Sequence, residues 1–154
     1  MIEIPNFNTL DIQHIVCDYN GTIAKDGVLL KELSDKLKAL SKHYTVHVIT
    51  ADTFGSVQQE LDGLPIAIKV LSSEDHTQEK ADFVRELGAS HCVAIGNGNN
   101  DKAMLTLAEL GIAVIGSEGC AKDALLSADL VCSHITDALN ALLHHKRLIA
   151  TLRR

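Results

Sequence analysis

Polar residues with possible chemical roles stand at the ends of three apolar runs of the sequence. Asp18 closes the run 14–18, Thr50 closes the run 44–50, and a third run leads into the turn 96–101 (Gly-Asn-Gly-Asn-Asn-Asp). Singly, each segment is typical of an ordinary turn, since Asn, Gly and Asp form turns in most proteins. In an open α/β sheet, however, ligands bind beyond the carboxyl ends of the strands. We therefore expect the three segments to meet in one crevice.

The elements that must position these residues follow from an alternation of short apolar runs with amphipathic stretches. Val- and Ile-rich runs predict strands at 14–18, 44–50, 65–71, 91–97, 111–116 and 129–133. Helical periodicity predicts helices at 30–42, 54–61, 77–87, 101–110, 120–127 and 136–152. Residues 2–4 and 10–13 are expected to add short strands at a sheet edge. The pattern predicts a three-layer, Rossmann-like α/β fold with a mostly parallel sheet, as one domain over residues 1–154.

Composition and charge exclude several classes of protein. The chain has 154 residues, of which 46% are hydrophobic and 22% charged, so a wholly disordered chain is excluded. The net charge of −6 argues against nucleic acid as a partner, because a phosphate backbone requires a basic surface. No apolar run is long enough to span a membrane, and residues 1–5 lack the features of a signal peptide. We therefore predict a cytoplasmic protein without a membrane partner.

The cysteines and histidines give no sign of a metal centre. The 4 cysteines form no Cys-x-x-Cys pair, and the 8 histidines do not combine with Cys or Glu at the spacing of a zinc site. Reduced thiols in a cytosolic core are the expected state of the cysteines.

The order of the polar segments resembles the motif order of the haloacid dehalogenase-like (HAD) superfamily. Residues 18–22 (Asp-Tyr-Asn-Gly-Thr) resemble its first motif, DxDGT, and residues 96–101 resemble its fourth, GDGxND. Thr50 corresponds to the second motif and Lys80 to the third. The segment 50–52 (Thr-Ala-Asp) is also similar to the TGD of the P-type ATPase phosphorylation domain. The chain therefore resembles, over nearly its whole length, the small capless proteins called soluble P-type ATPases.

The resemblance implies a Mg²⁺-dependent phosphohydrolase in which Asp18 is the nucleophile and forms an aspartyl-phosphate. The residues that it implies in substrate binding are Gly21, Thr22, Thr50, Ala51 and Lys80, and those around the metal are Asp18, Asn20 through its main-chain carbonyl, Asn97, Asn100 and Asp101. A carboxylate attacks a phosphate dianion only where cations and amide groups neutralise the repulsion. Mg²⁺ prefers carboxylate and carbonyl oxygens, which these residues supply.

Two asparagines depart from the motifs of the family. Asn20 stands where the first motif has the Asp that protonates the leaving group, and Asn97 stands where the fourth motif has an Asp. Acid–base catalysis of this kind typically contributes ~10²–10⁴-fold in rate. One hypothesis is an enzyme that is restricted to good leaving groups, such as acyl or aryl phosphates. The alternative is a weak or inactive relative that binds a phosphorylated ligand or a protein as a regulator.

The spacing of the motifs leaves no room for a cap domain. Each interval, from Thr22 to Thr50 and from Thr50 to Lys80, accommodates about one helix and one strand. Residues 23–29, with Asp-Gly at their centre, predict a small hairpin flap over the crevice. Capless family members act on macromolecules or close their sites with a neighbouring subunit, as the 3-deoxy-D-manno-octulosonate 8-phosphate phosphatases do. The resemblance thus implies a small phosphorylated substrate or a phosphoprotein, and a homo-oligomer.

Overall fold

The structure is a computed structural model that describes residues 1–52 and 55–154. The strands in these residues are β1 (Ile2–Ile4), β2 (Asn8–Leu10), β3 (His14–Asp18), β4 (Ala24–Lys25), β5 (Val28–Leu29), β6 (Thr45–Thr50), β7 (Ile66–Val70), β8 (Cys92–Gly96), β9 (Leu110–Val114) and β10 (Leu130–Cys132). The helices are α1 (Ser34–Ser41), α2 (Ser56–Glu60), α3 (His76–Leu87), α4 (Lys102–Leu107), α5 (Lys122–Ser127), α6 (Ile135–Leu143) and α7 (His145–Leu152).

A parallel sheet of six strands lies at the centre of the fold, in the order β10-β9-β8-β3-β6-β7. Every neighbouring pair in this sheet is parallel. The predicted α/β fold with a Rossmann-like sheet is therefore confirmed. The position of β3 between β8 and β6 explains why its sequence is apolar on both faces, since Ile15, Val16 and Cys17 are all 0% exposed.

Helices cover both faces of the sheet and produce the three layers. Successive residues of a strand point to opposite faces, so Ile15 and Cys17 pack into one core and Val16 into the other. The first core also receives side chains from α1, α6 and α7, such as Leu37, Leu139 and Leu148. The second receives side chains from α3, α4 and α5. Because helices cover both faces of the sheet, its residues are accessible mainly at the ends of the strands, between the two helical layers.

Three of the predicted elements differ in the structure. The helix predicted at 136–152 is two helices, because the backbone at His144 (φ −122, ψ 81) leaves the helical region and redirects α7 so that Leu148 is buried. The helix predicted at 101–110 ends at Leu107, and Leu110 already begins β9. The segments expected at a sheet edge pair with each other instead: β1 and β2 form a separate antiparallel hairpin, and residues 11–13 are not a strand.

The segments that connect β3 to β6 and β6 to α3 are short. The hairpin predicted in residues 23–29 is observed as β4–β5, with Asp26 and Gly27 at positive φ (52 and 82) in its turn. The helix predicted at 54–61 is observed as α2 (Ser56–Glu60), and its predicted first residue lies outside the described residues. In residues 1–52 and 55–154, only β4, β5, one turn of 3₁₀ helix (Lys31–Leu33) and α1 separate β3 from β6, and only α2 and β7 separate β6 from α3, so no cap domain is present there. None of the helices in these residues has the length and apolar character needed to cross a membrane.

Candidate active site

Three strand ends bring Asp18, Thr50 and the loop after Gly96 to the same edge of the sheet. Strand β3 lies between β6 and β8. Asp18, the last residue of β3, is in register with Ile49, so Thr50 stands one position further along the neighbouring strand. Strand β8 ends on the other side at Gly96. The carboxyl, the hydroxyl and the glycine-rich loop therefore lie side by side at the carboxyl end of the sheet.

The ammonium group of Lys80 connects two carboxylates at this edge. Lys80 lies on α3, and its side chain is 3% exposed. Its Nζ donates to Oδ1 of Asp18 at 2.9 Å and to Oδ1 of Asp101 at 2.8 Å. The third acceptor is Oδ1 of Asn100, at 3.0 Å. An ammonium group has three hydrogens, so each one has an acceptor in this arrangement. With two carboxylates and one ammonium, the cluster carries a net charge of −1 when all three groups are ionised.

Asp101 binds Lys80 and also holds the loop after β8 in place. It is 0% exposed, and its Oδ2 accepts hydrogen bonds from the backbone N–H of Asn97 at 3.0 Å and of Gly98 at 2.9 Å. Gly96 permits this arrangement, because a Cβ at that position would collide with the Asp101 carboxyl group. Both oxygens of Asp101 thus have protein partners, and its role as a metal ligand stays a prediction.

The charges of the cluster influence one another strongly. Burial, together with the Asp101 carboxylate, raises the pKa of Asp18, and the bond from Lys80 offsets only part of this rise. Burial disfavours the charged form of Lys80, but Asp18 and Asp101 outweigh it and raise the pKa of the ammonium group. The lysine therefore stays protonated, and the site has negative charge that is incompletely neutralised.

Thr50 and its neighbours form the second side of the site. Thr50 is 4% exposed, and its Oγ1 accepts a hydrogen bond from the backbone N–H of Asp52 at 3.0 Å. This bond orients the hydroxyl so that its hydrogen points away from the Asp52 amide. Asp52 in turn accepts from Ser56 Oγ at 2.6 Å and from the Val57 N–H at 2.9 Å, which fixes the start of α2. Ala51, between the two, is exposed.

The loop after Asp18 is tightly folded. The Tyr19 carbonyl accepts from the N–H of Ile23 and of Ala24, both at 3.1 Å, and the Gly21 N–H donates to the Ala24 carbonyl at 2.9 Å. Gly21 has φ +79, a conformation that L side chains rarely adopt. Asn20 is exposed, whereas Thr22 is 2% exposed. The structure thus places Asn20 and Gly21 at the surface of the crevice and Thr22 beneath it.

The Asn97 side chain has partners on both sides. Its Nδ2 donates to the Gly119 carbonyl at 3.2 Å, and its Oδ1 accepts from Thr22 Oγ1 at 3.4 Å. Asn97 therefore lies next to the loop after Asp18, but its polar atoms are engaged with protein groups.

The oxygen atoms of the site fit Mg²⁺ better than a soft metal. No group of three or more His, Cys, Asp or Glu side chains in the described ranges, 1–52 and 55–154, has the arrangement of a metal site. Mg²⁺ does not require such a group, because it is usually bound by one or two carboxylates together with water and substrate phosphates. Burial is the main cause of the raised pKa of Asp18 and the Asp101 carboxylate adds to it, so a cation bound beside Asp18 would favour its ionised form.

One predicted site residue has an unexpected partner, and one residue that contacts the site was not predicted. Asn100 was expected around the metal, and its Oδ1 accepts a hydrogen bond from Lys80. Tyr19, directly after Asp18, is 1% exposed and donates its hydroxyl hydrogen to the Gly27 carbonyl at 3.0 Å, which ties the hairpin β4–β5 to the loop after Asp18. The sequence carried no signal for this contact beyond the neighbouring position.

Sequence comparisons connect the chain to partly similar proteins. No protein-family model matches it. It is 54% identical over 61 residues to an uncharacterized protein of Methanocaldococcus jannaschii, a match that covers 40% of this chain and 66% of that protein. It is 36% identical over 97 residues to the copper-transporting ATPase ccc2 of Schizosaccharomyces pombe, covering 62% of this chain and 10% of the ATPase. The chain thus spans less than two thirds of the length of either relative.

Solved structures match the chain over almost its full length. A 3-deoxy-D-manno-octulosonate 8-phosphate phosphatase from Moraxella catarrhalis, crystallised with magnesium, phosphate and KDO, has a TM-score of 0.72 at 19% identity and covers 93% of this chain and 94% of its own. The cobalt-bound deoxy-D-mannose-octulosonate 8-phosphate phosphatase from Haemophilus influenzae has a TM-score of 0.70 at 13% identity, covering 86% and 88%. A HAD superfamily phosphatase from Bacteroides thetaiotaomicron has a TM-score of 0.63 at 12% identity, covering 92% and 97%. The chain therefore has the fold of the HAD superfamily, with no cap domain in its described residues.

Proposed function

We propose that this protein is a phosphohydrolase that transfers a phosphoryl group to Asp18 and then to water. The observation that carries the proposal is the bond between Asp18 and the buried Lys80 at the carboxyl end of the central strand. A carboxylate held in this way has a cation beside the oxygen at which a phosphoryl group would arrive. The structurally similar octulosonate 8-phosphate phosphatases support the same reaction class.

The reaction has two steps. In the first, an oxygen of Asp18 forms a bond to phosphorus, the bond between phosphorus and the leaving oxygen breaks, and the leaving oxygen keeps the electron pair. In the second, a water attacks the phosphorus and loses a proton to solvent, the bond to Asp18 breaks, and phosphate departs. The carboxylate of Asp18 is thereby restored.

Lys80 changes its partner during this cycle. In the resting state one of its three hydrogens is donated to Asp18, while Asp101 and Asn100 hold the other two. When Asp18 carries the phosphoryl group, the first hydrogen is available to a phosphoryl oxygen, and the ammonium group is already in position. We assign the remaining binding contacts to Thr50 and Ala51 on one side of the phosphoryl group and to the loop of Gly21 and Thr22 on the other.

We propose Mg²⁺ as the cofactor. The Asp18 carboxylate and the main-chain carbonyl of Asn20 would bind it, and Asn97 and Asp101, whose polar atoms have protein partners, would lie around it. When bound, Mg²⁺ would reduce the repulsion between the carboxylate and the phosphate. It would also lower the raised pKa of Asp18 and keep the nucleophile ionised.

Asn20 restricts the substrates. An amide neither protonates a leaving oxygen nor removes a proton from water, so this residue gives no acid–base catalysis. Acyl and aryl phosphates have leaving groups that depart without a proton. We therefore propose a small phosphorylated substrate or a phosphoprotein with a good leaving group, handled by a cytoplasmic homo-oligomer without nucleic acid as a partner.

Turnover of an activated aryl phosphate with Mg²⁺ tests this function. The expected result is hydrolysis by the wild type and loss of hydrolysis in Asp18→Asn. Equal background rates in the two proteins would contradict the proposal. Beryllium fluoride with Mg²⁺ mimics an aspartyl-phosphate, so the absence of binding that depends on Asp18 would favour the alternative, a regulator that binds a phosphorylated ligand or a protein.

A further inference from the structure

Three loops of the site meet at the side chain of Asn97. They are the nucleophile loop after β3, the loop after β8 and the segment 116–121 after β9. The Asn97 amide donates to Gly119 at 3.2 Å and accepts from Thr22 at 3.4 Å. The backbone carbonyl of Asn97 also accepts from the Ala121 N–H at 2.8 Å. We call the Asn97 side chain with its two partners, Thr22 and Gly119, the Asn97 bridge.

The packing around the Asn97 bridge leaves no spare volume. A Cβ on Gly21 would lie 2.5 Å from Nδ2 of Asn97, so the amide rests directly against the nucleophile loop. A Cβ on Gly116 would lie 3.3 Å from the Gly21 carbonyl oxygen. The segment 116–121 therefore also contacts this loop, and a displacement of Asn97 would be transmitted to both.

An amide is required by the partners of this side chain. The Gly119 carbonyl only accepts hydrogen bonds, so the atom that faces it must be a donor. That requirement fixes the orientation of the Asn97 amide and leaves its oxygen for the Thr22 hydroxyl. A carboxylate at this position would place an acceptor against an acceptor, which is repulsive in a partly buried site.

We propose that Asn97 is a positioning residue for phosphoryl transfer, and that it is not a metal ligand that has lost its charge. It acts through Gly21 and Thr22, which follow Asn20 in the loop after Asp18. The main-chain carbonyl of Asn20 is the proposed metal ligand in that loop. The Asn97 bridge holds this loop against the segment 116–121. It thereby fixes the position of the loop relative to a phosphoryl group on Asp18. This inference rests on the proposed function and adds to it a reason for the asparagine in the fourth motif.

The test compares three variants at saturating Mg²⁺. Asn97→Asp introduces the acceptor, Asn97→Ala removes both bonds, and Asn99→Asp adds the same charge at the exposed, variable position of the motif. We expect kcat on an aryl phosphate to fall about tenfold or more in both Asn97 variants, with little change in KM, because Asn97→Asp loses the bond to Gly119 and Asn97→Ala loses both bonds of the Asn97 bridge. The Asn99→Asp variant should retain the wild-type kcat. A residue that only contributed to folding would lower the amount of active protein and leave kcat per folded molecule unchanged.

Amide hydrogen exchange of residues 116–121, measured without metal or substrate, provides a readout that does not depend on activity. We expect exchange in this segment to accelerate in Asn97→Asp and Asn97→Ala and to stay unchanged in Asn99→Asp. A higher kcat/KM and tighter Mg²⁺ binding in Asn97→Asp, with exchange as in the wild type, would overturn the inference. If no variant and no wild type turned over substrate, the proposed function would fail, while the exchange data would still decide whether the Asn97 bridge exists.

Discussion

Removal of the Lys80 ammonium group should destabilise the protein far more than removal of an exposed one. In Lys80→Met, the carboxylates of Asp18 and Asp101 lose a partner at 2.9 and 2.8 Å and keep their burial, with side-chain exposures of 14% and 0%. Breaking a buried ion pair by removing one partner costs about 3–5 kcal/mol. We expect a loss of this size in the free energy of unfolding at about pH 8.

The loss should depend on pH in a defined direction. Without the ammonium group, the pKa of Asp18 rises further in the folded state, so the folded variant binds more protons than the folded wild type. The free energy of unfolding of Lys80→Met then decreases as pH rises, by about 1.4 kcal/mol per pH unit for each extra proton that the folded variant binds. The difference between wild type and Lys80→Met should therefore shrink by about 1–3 kcal/mol between about pH 8 and pH 5.

Urea unfolding followed by circular dichroism measures these differences. Lys102→Met is the matched control, since Lys102 is half-exposed and lies 4.0 Å from the half-exposed Asp123. It should change the unfolding free energy by less than about 1 kcal/mol. A second variant, Lys80→Met with Asp18→Asn, should recover part of the loss. Equal effects of Lys80→Met and Lys102→Met at about pH 8 would refute the buried charge cluster.

Three further predictions concern the acid, the metal and the packing. Asn20→Asp should raise turnover of alkyl phosphates by about 10²–10⁴-fold, as a phosphatase screen would measure, and no change would contradict the leaving-group argument. Mg²⁺ affinity, measured by calorimetry, should tighten as pH rises towards about 7, because burial raises the pKa of Asp18 to about 7 and the proton must leave first; a flat pH profile would contradict this. Gly111→Ala should cost about 1–3 kcal/mol in a thermal melt, because its Cβ would collide with the Leu105 carbonyl of α4, and an unchanged Tm would contradict the packing of α4 on β9.

The sequence was sufficient for the sheet and for the residues at its strand ends. The apolar runs predicted the six strands of the central sheet, and their ends placed Asp18, Thr50 and the glycine-rich loop at one edge. Local patterns predict such features because a strand buried on both faces must be apolar throughout. Lys80 was different, since nothing near it in sequence indicates a site, and only the order of the motifs identified it.

The remaining features depend on contacts between distant residues. The bonds of Asp101 to Lys80 and to two backbone N–H groups exist only once α3 packs beside β8, so the sequence could not distinguish a metal ligand from a residue that holds a lysine. The same is true of Asn97, whose partner Gly119 lies 22 residues away. The break between α6 and α7 at His144 also depends on tertiary contacts. The helical periodicity of the sequence continues through His144, and α7 changes direction there because its apolar residues are buried against β1.

Covalent attachment of a phosphoryl group to Asp18 is the step that distinguishes this reaction from all others, and it can be detected directly. Wild-type protein mixed with Mg²⁺ and an aryl phosphate is quenched in acid during turnover, and the peptide that contains residue 18 is analysed by mass spectrometry. We expect this peptide to gain the mass of one phosphoryl group in the wild type and none in Asp18→Asn. Turnover that proceeds at the wild-type rate in Asp18→Asn, or a phosphoryl group found on a different residue, would contradict it.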